Sequence, residues 1–96
     1  QTCVCANRIY VQAGIHDAFA ARLAEVVRGL RMGDPLDAAT NVGPLVDQQG
    51  HDKVSAHVRD ALAKGATALV GGTTRDGLYF EPTVLTGVAS GMRILE

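Results

Sequence analysis

The spacing of apolar residues along this chain switches from a period of two to a helical period and back to two, and that switch restricts the fold class. Residues 8–12 (RIYVQ) alternate, with Ile9 and Val11 on one side and Arg8, Tyr10 and Gln12 on the other, which predicts a strand. Ala13-Gly14 breaks it. From Ile15 onward, Ile15, Phe19, Leu23, Val26, Val27 and Leu30 recur at helical spacing, with Arg22, Glu25 and Arg28 on the opposite side and Gly33 as the expected stop. Residues 32–44 carry two Gly, two Pro and an Asn and are expected to be loop. Asp47 stands where an N-cap belongs, ahead of Val54, Val58 and Leu62 at four-residue steps, and Lys64-Gly65 should close that second helix. Residues 66–70 read as a short buried strand, Gly71-Gly72 through Gly77 as a turn, and residues 79–85 (YFEPTVL) as a further strand in which Pro82 demands an edge or a bulge. The resulting β-α-α-β-β order predicts an α/β unit with helices packed on at least one sheet face. No repeat, low-complexity tract or linker divides residues 1–96.

The balance of charge excludes several functions. Nine Lys and Arg against ten Asp and Glu leave a net charge of −1, which offers no footprint for nucleic acid or an anionic membrane surface. Aromatic residues make up 4% and Trp is absent, so a base-stacking platform is not expected. No apolar run approaches the roughly 20 residues of a membrane span. The apolar share of 47% is that of an ordinary globular domain rather than a disordered tail.

The strongest nucleophiles are two thiols, Cys3 and Cys5, in the opening QTCVCAN. One residue apart, they would close a small, strained ring if bridged and would staple nothing distant, so a secreted disulfide scaffold is not indicated. A reducing, cytoplasmic setting is the simplest reading. A cysteine with the reference acidity is only about 3% thiolate at pH 7, and backbone N–H groups at a turn can both raise that share and hold an oxyanion. The competing reading makes both thiols small buried hydrophobes. Of the three histidines that could serve as a base, His51 and His57 lie about 240° apart around a helix at 100° per residue, and His16 lies off its helix's apolar side. All three read as solvated helix residues. A zinc site from Cys3, Cys5 and two histidines lacks paired ligand spacing. Gly71-Gly72 with Gly77 does not fit a dinucleotide-binding glycine loop. From the residues alone there is a candidate nucleophile without a visible base, metal or cofactor loop.

Four segments taken in order resemble the NAD(P)-dependent aldehyde dehydrogenases. QTCVCANRIYVQ is similar to the stretch around that family's reactive cysteine, where G-Q-x-C precedes a strand, and GPLVD at residues 43–47 is similar to its step into the following helix. Lys64-Gly65-Ala66, then Gly71-Gly72, then residues 79–85 follow its K-G-A, G-G and aromatic-x-P-T order. TCVCANR is most similar to the succinate-semialdehyde branch, with glutarate-semialdehyde dehydrogenases close behind.

The resemblance implies a partial catalytic domain of that family over residues 1–96. Cys3 would be the nucleophile, with its own backbone N–H as half of an oxyanion hole. Cys5 would be a second thiol able to pair with it as a redox partner. It further implies oxidation of succinate semialdehyde or a related short semialdehyde through a thiohemiacetal and a thioester. NAD or NADP would be the cofactor of the longer parent, with none expected to bind this chain alone, and no metal site. The general base, the oxyanion asparagine and the nucleotide-binding domain of the family are expected upstream of Gln1. The family's E-E-x-F-G-P glutamate is expected just past Glu96, which is given no role. The isolated chain is accordingly expected to be inactive, and to pack against the rest of a subunit or associate with itself. The alternatives left open are a stand-alone thiol redox or metal-binding module and a non-catalytic interaction domain.

Overall fold

The computed structural model describes residues 3–96. A 3-10 turn over Ala13–Ile15 leads into helix α1 (His16–Arg28), and a long loop then reaches helix α2 (Gln48–Ala63). Strands β1 (Thr67–Val70) and β2 (Val84–Thr86) form an antiparallel hairpin, and a second 3-10 turn covers Arg93–Leu95. The α/β class predicted from the periodicities is the one observed.

Residues 8–12 depart from the prediction. They carry no strand pairing, although Gln12 is extended at φ −56° and ψ 136°. Alternation prepares a segment for a sheet, but a strand exists only where a neighbour accepts its N–H and C=O groups. Among the described residues no such neighbour lies alongside. The end of α1 also differs: Gly29 takes the C-cap position, its N–H donating to Val26 O at 3.1 Å while the Leu30 N–H donates to Val27 O at 3.0 Å, and Gly33 belongs to the following loop, where its N–H donates to Val42 O at 3.0 Å.

The start and stop of α2 follow the local signals. Asp47 is extended, and its carboxylate accepts from the Gly50 N–H at 2.7 Å, which satisfies one of the unpaired donors of the first turn. Lys64 forms the C-cap, and Gly65 follows at φ +105°. Asp47→Ala should therefore cost about 1 kcal/mol. Urea unfolding monitored by helical circular dichroism checks this, and an unchanged midpoint would mean that the cap contributes nothing.

The core is small. Among the described residues the buried apolar side chains are Ala20, Ala24, Val58, Ala61, Ala66, Phe80 and Met92. Ala61, Ala66 and Met92 form its centre, with Leu85 and Ile94 packed against them. Helix α1 packs on the hairpin, and its buried residues are Ala20 and Ala24, whose small side chains let a helix approach a sheet closely, with Leu23 and Val27 half-buried. Arg28 fixes the contact by donating from Nη2 to Leu69 O at 3.2 Å. Ile15 (57% exposed), Phe19, Val26 (55%) and Leu30 are left facing outward.

Strand β2 is shorter than the expected strand over residues 79–85: it begins at Val84, two residues past Pro82, whose missing N–H cannot join the ladder. The register pairs Thr67 with Thr86 and Ala68 with Leu85, then slips to pair Val70 with Val84, so Leu69 is an extra residue opposite the strand that follows Pro82. The Glu81 carboxylate ties the turn together, accepting from Thr73 Oγ1 at 2.8 Å and from Arg75 Nε at 3.0 Å. Those two partners, the Thr73 hydroxyl foremost, hold its acidity above that of a free glutamate.

The last residues are pinned to α2 by one carboxylate. Asp60 accepts from the Arg93 N–H at 2.8 Å and pairs with Lys64 Nζ at 2.8 Å, while Lys64 also donates to Gly91 O at 2.7 Å. The Lys64 hydrogen bond, then that from Arg93, lowers the Asp60 pKa. A carboxyl whose pKa is depressed on folding contributes stability above its unfolded value and loses it as pH falls through the folded one. Asp60→Asn should thus be less stable than the parent chain at neutral pH, and the difference should shrink below about pH 4. Chemical unfolding across acidic pH checks this; a gap that persisted unchanged into strong acid would contradict it.

Candidate active site

Cys3 and Cys5 sit in an exposed turn ahead of residues 8–12. Both thiols are free and exposed, so the reading of them as buried core residues is set aside. Gln1, which sets the register of the G-Q-x-C pattern, lies outside the described residues. Beyond the turn the Arg8 guanidinium reaches across the molecule and donates from Nη1 to Leu95 O at 3.1 Å. That bond joins the segment after the thiols to the far end of the chain.

None of the histidines is brought to the thiols by a hydrogen bond or ion pair among the described residues. His16 opens α1 and bonds through Nδ1 to Asp17 Oδ1 at 3.0 Å. His57 is half-buried on α2. His51 corrects the sequence expectation most clearly: its side chain is only 12% exposed, and its ring lies edge-on to Phe80 at 6.2 Å between centroids. Phe80 is itself buried there. No sequence signal separated His51 from an ordinary solvated position, because its burial depends on where the hairpin returns to α2. Among the described residues no three of His, Cys, Asp and Glu converge as a metal site. The four-ligand arrangement from Cys3, Cys5 and two histidines is therefore not assembled there.

The main concavity is a groove of about 1060 Å³ between residues 6–11 on one side and β2 with residues 87–88 on the other. Val54 and Val58 of α2, Phe80, Ile94 and Leu95 supply apolar lining, and neither thiol lines it. This lining does not fit a dinucleotide. It has no run of glycine amides at a helix start, and Gly71-Gly72 lies in the hairpin rather than ahead of a helix.

The model of the aldehyde dehydrogenase family matches residues 1–96. The chain belongs to the aldehyde dehydrogenase family. It is 52% identical over 88 residues to the glutarate-semialdehyde dehydrogenase of Pseudomonas putida, covering 92% of this chain and 18% of that protein. It is 46% identical over 96 residues to an NADP(+) succinate-semialdehyde dehydrogenase of Escherichia coli, covering 98% of this chain and 20% of the relative. Among solved structures, the succinate-semialdehyde dehydrogenase of Burkholderia pseudomallei superposes with a TM-score of 0.94 at 44% identity, over 100% of this chain and 20% of its own. The chain thus spans about a fifth of the length of these aldehyde dehydrogenases. Among the described residues no helix is long and apolar enough to cross a membrane.

Proposed function

We propose that this chain is the thiol-bearing part of the catalytic domain of an NAD(P)-dependent aldehyde dehydrogenase that oxidises a short, carboxylate-bearing semialdehyde, with Cys3 as nucleophile. The observation that carries the reading is the family match over residues 1–96, which includes the exposed, unbridged thiol at Cys3. Succinate and glutarate semialdehydes are the substrates of choice because relatives named for both are close to half identical to the chain.

In this reading the Cys3 sulfur, as thiolate, adds to the aldehyde carbon and the carbonyl oxygen becomes an oxyanion. The Cys3 backbone N–H is the donor assigned to that oxygen in this reading, a type of contact whose loss commonly costs about 10²–10³ in rate. NAD or NADP, when bound, supplies the hydride acceptor, and the described residues do not form its site. The carbon, once oxidised, remains on Cys3 as a thioester. Water then attacks that carbonyl, the carbon–sulfur bond breaks, and the carboxylic acid leaves with the thiol regenerated. A reducing cytoplasm suits this chemistry, because the nucleophile must persist as a free thiol.

The test is turnover by the full-length parent with succinate and glutarate semialdehydes, each with NAD and with NADP. Saturable formation of reduced cofactor with at least one pair is expected. Absence of turnover with every pair, in a folded protein, would reject the substrate class.

A further inference from the structure

Asp76 differs from every other aspartate of the chain. The other six commit their carboxylates: Asp47 to the cap of α2, Asp34 and Asp37 to backbone N–H groups, and Asp17, Asp52 and Asp60 to side chains. Among the described residues the Asp76 carboxylate has no hydrogen bond or ion pair. It stands on an exposed turn in the connection between β1 and β2, and the exposed Gly77 follows it. Nowhere else in the sequence does Asp or Asn precede Gly. The arms of this turn are held, with the Glu81 N–H donating to Thr73 O at 3.0 Å and the Arg75 N–H to Tyr79 O at 2.9 Å. At the tip the Tyr79 N–H reaches Asp76 O at 3.4 Å, and of the two central residues only Gly77 has positive φ, at +64°. That is the pattern of a type II′ turn. The Gly77 N–H makes no hydrogen bond among the described residues, and a Cβ added at Gly77 would meet nothing within 4 Å. A free carboxyl and an unshielded amide nitrogen thus stand on adjacent residues.

We propose that Asp76-Gly77 is a site of covalent self-modification, where the aspartyl residue isomerises to isoaspartate without an enzyme. The Gly77 nitrogen attacks Cγ of the protonated Asp76 carboxyl. A nitrogen–Cγ bond forms, the amide proton and the carboxyl hydroxyl leave as water, and a succinimide ring closes. Glycine favours this step because no Cβ crowds the nitrogen and the backbone can turn freely toward the ring geometry. Water then opens the ring. Addition at Cγ restores aspartate. Addition at the main-chain carbonyl breaks its bond to the Gly77 nitrogen, routes the backbone through Cγ and leaves a free α-carboxylate. The water lost is regained, so mass is unchanged and no oxidant or reductant is consumed. One carboxylate replaces another, so the charge of the tip is also unchanged. The turn gains a methylene and loses the bond from the Tyr79 N–H to Asp76 O, while the Arg75–Tyr79 and Thr73–Glu81 bonds can still hold the arms. The modification lies on the hairpin, so its failure would leave the role given to Cys3 standing.

The test ages the folded full-length parent at neutral pH, beside an aliquot unfolded in guanidinium chloride as the reference for a free chain. Samples are digested, and electron-transfer fragmentation of the peptide spanning residues 76–77 distinguishes isoaspartate from aspartate. Isoaspartate should accumulate at position 76 in the folded protein, ahead of every other aspartate in residues 3–96 and within several-fold of the unfolded rate. Asp76→Glu should abolish it, because the longer side chain closes its larger ring poorly. Gly77→Ala should slow it several-fold, since the added methyl crowds the attacking nitrogen. Accumulation in the unfolded aliquot alone would show that the turn protects this bond and would overturn the proposal. So would equal accumulation in Gly77→Ala and the parent, or faster accumulation at another aspartate.

Discussion

Cys3→Ala in the full-length parent should reduce aldehyde oxidation to background, and Cys5→Ala should retain most of it. The two thiols are one residue apart and equally free, so a general effect on folding or on the local turn would strike both variants alike. Chemistry would not. Without the Cys3 sulfur no thiohemiacetal forms at that position, and the covalent route is lost rather than slowed. At position 5, alanine exchanges one small side chain for another on an exposed turn, a change within the ordinary range of surface substitutions. Mild peroxide gives a second contrast. Oxidation of the Cys3 thiolate to a sulfenic acid consumes one peroxide, and condensation with the Cys5 thiol releases water and leaves a disulfide that a reductant can open. Cys5→Ala should therefore lose reversible inactivation while keeping turnover. Equal loss of activity in both variants, or full activity in Cys3→Ala, would reassign the nucleophile.

The largest structural effect is expected at Gly71. Its φ of +71° lies in the left-handed region, where an L side chain costs about 1–2 kcal/mol. A Cβ there would also run into the Pro82 carbonyl and stand 2.6 Å from Thr83 Oγ1. Relieving that overlap means parting the two arms of the hairpin and giving up the bond from the Gly72 N–H to Thr83 Oγ1 at 2.9 Å. Gly71→Ala should thus lower stability by about 2–4 kcal/mol. Gly77 supplies the control: its φ is +64°, yet a methyl group added there would meet nothing within 4 Å, so Gly77→Ala incurs only the backbone cost. Urea midpoints should fall far more for Gly71→Ala than for Gly77→Ala, and equal shifts would mean that the close approach of Pro82 is not a constraint.

What the sequence made legible were features decided by a few neighbouring residues. Asp47 caps α2 because a short acceptor side chain needs only the next turn of backbone, and Gly65 ends that helix because only local dihedrals are at stake. The turn at Gly71-Gly72, both at positive φ, follows from the same kind of local rule. Features decided by distant partners were not legible. The alternation in residues 8–12 was visible, but whether they pair depends on a strand located elsewhere. Helix α1 offered a bulky stripe and a small one, and its buried residues are Ala20 and Ala24, which no periodicity could choose. The burial of His51 against Phe80 likewise joins residues on different elements. At the candidate site, the thiols were legible as residue types, and their exposure on an open turn required the structure.

The site of acylation tests the role of Cys3 most directly. The full-length parent is mixed with succinate semialdehyde and oxidised cofactor, quenched in acid within a single turnover, digested and examined by mass spectrometry. A succinyl thioester on Cys3 is expected, still formed in Cys5→Ala and absent from Cys3→Ala. A thioester on Cys5, or continued turnover with no acyl group on Cys3 in a rapidly quenched sample, would contradict that role.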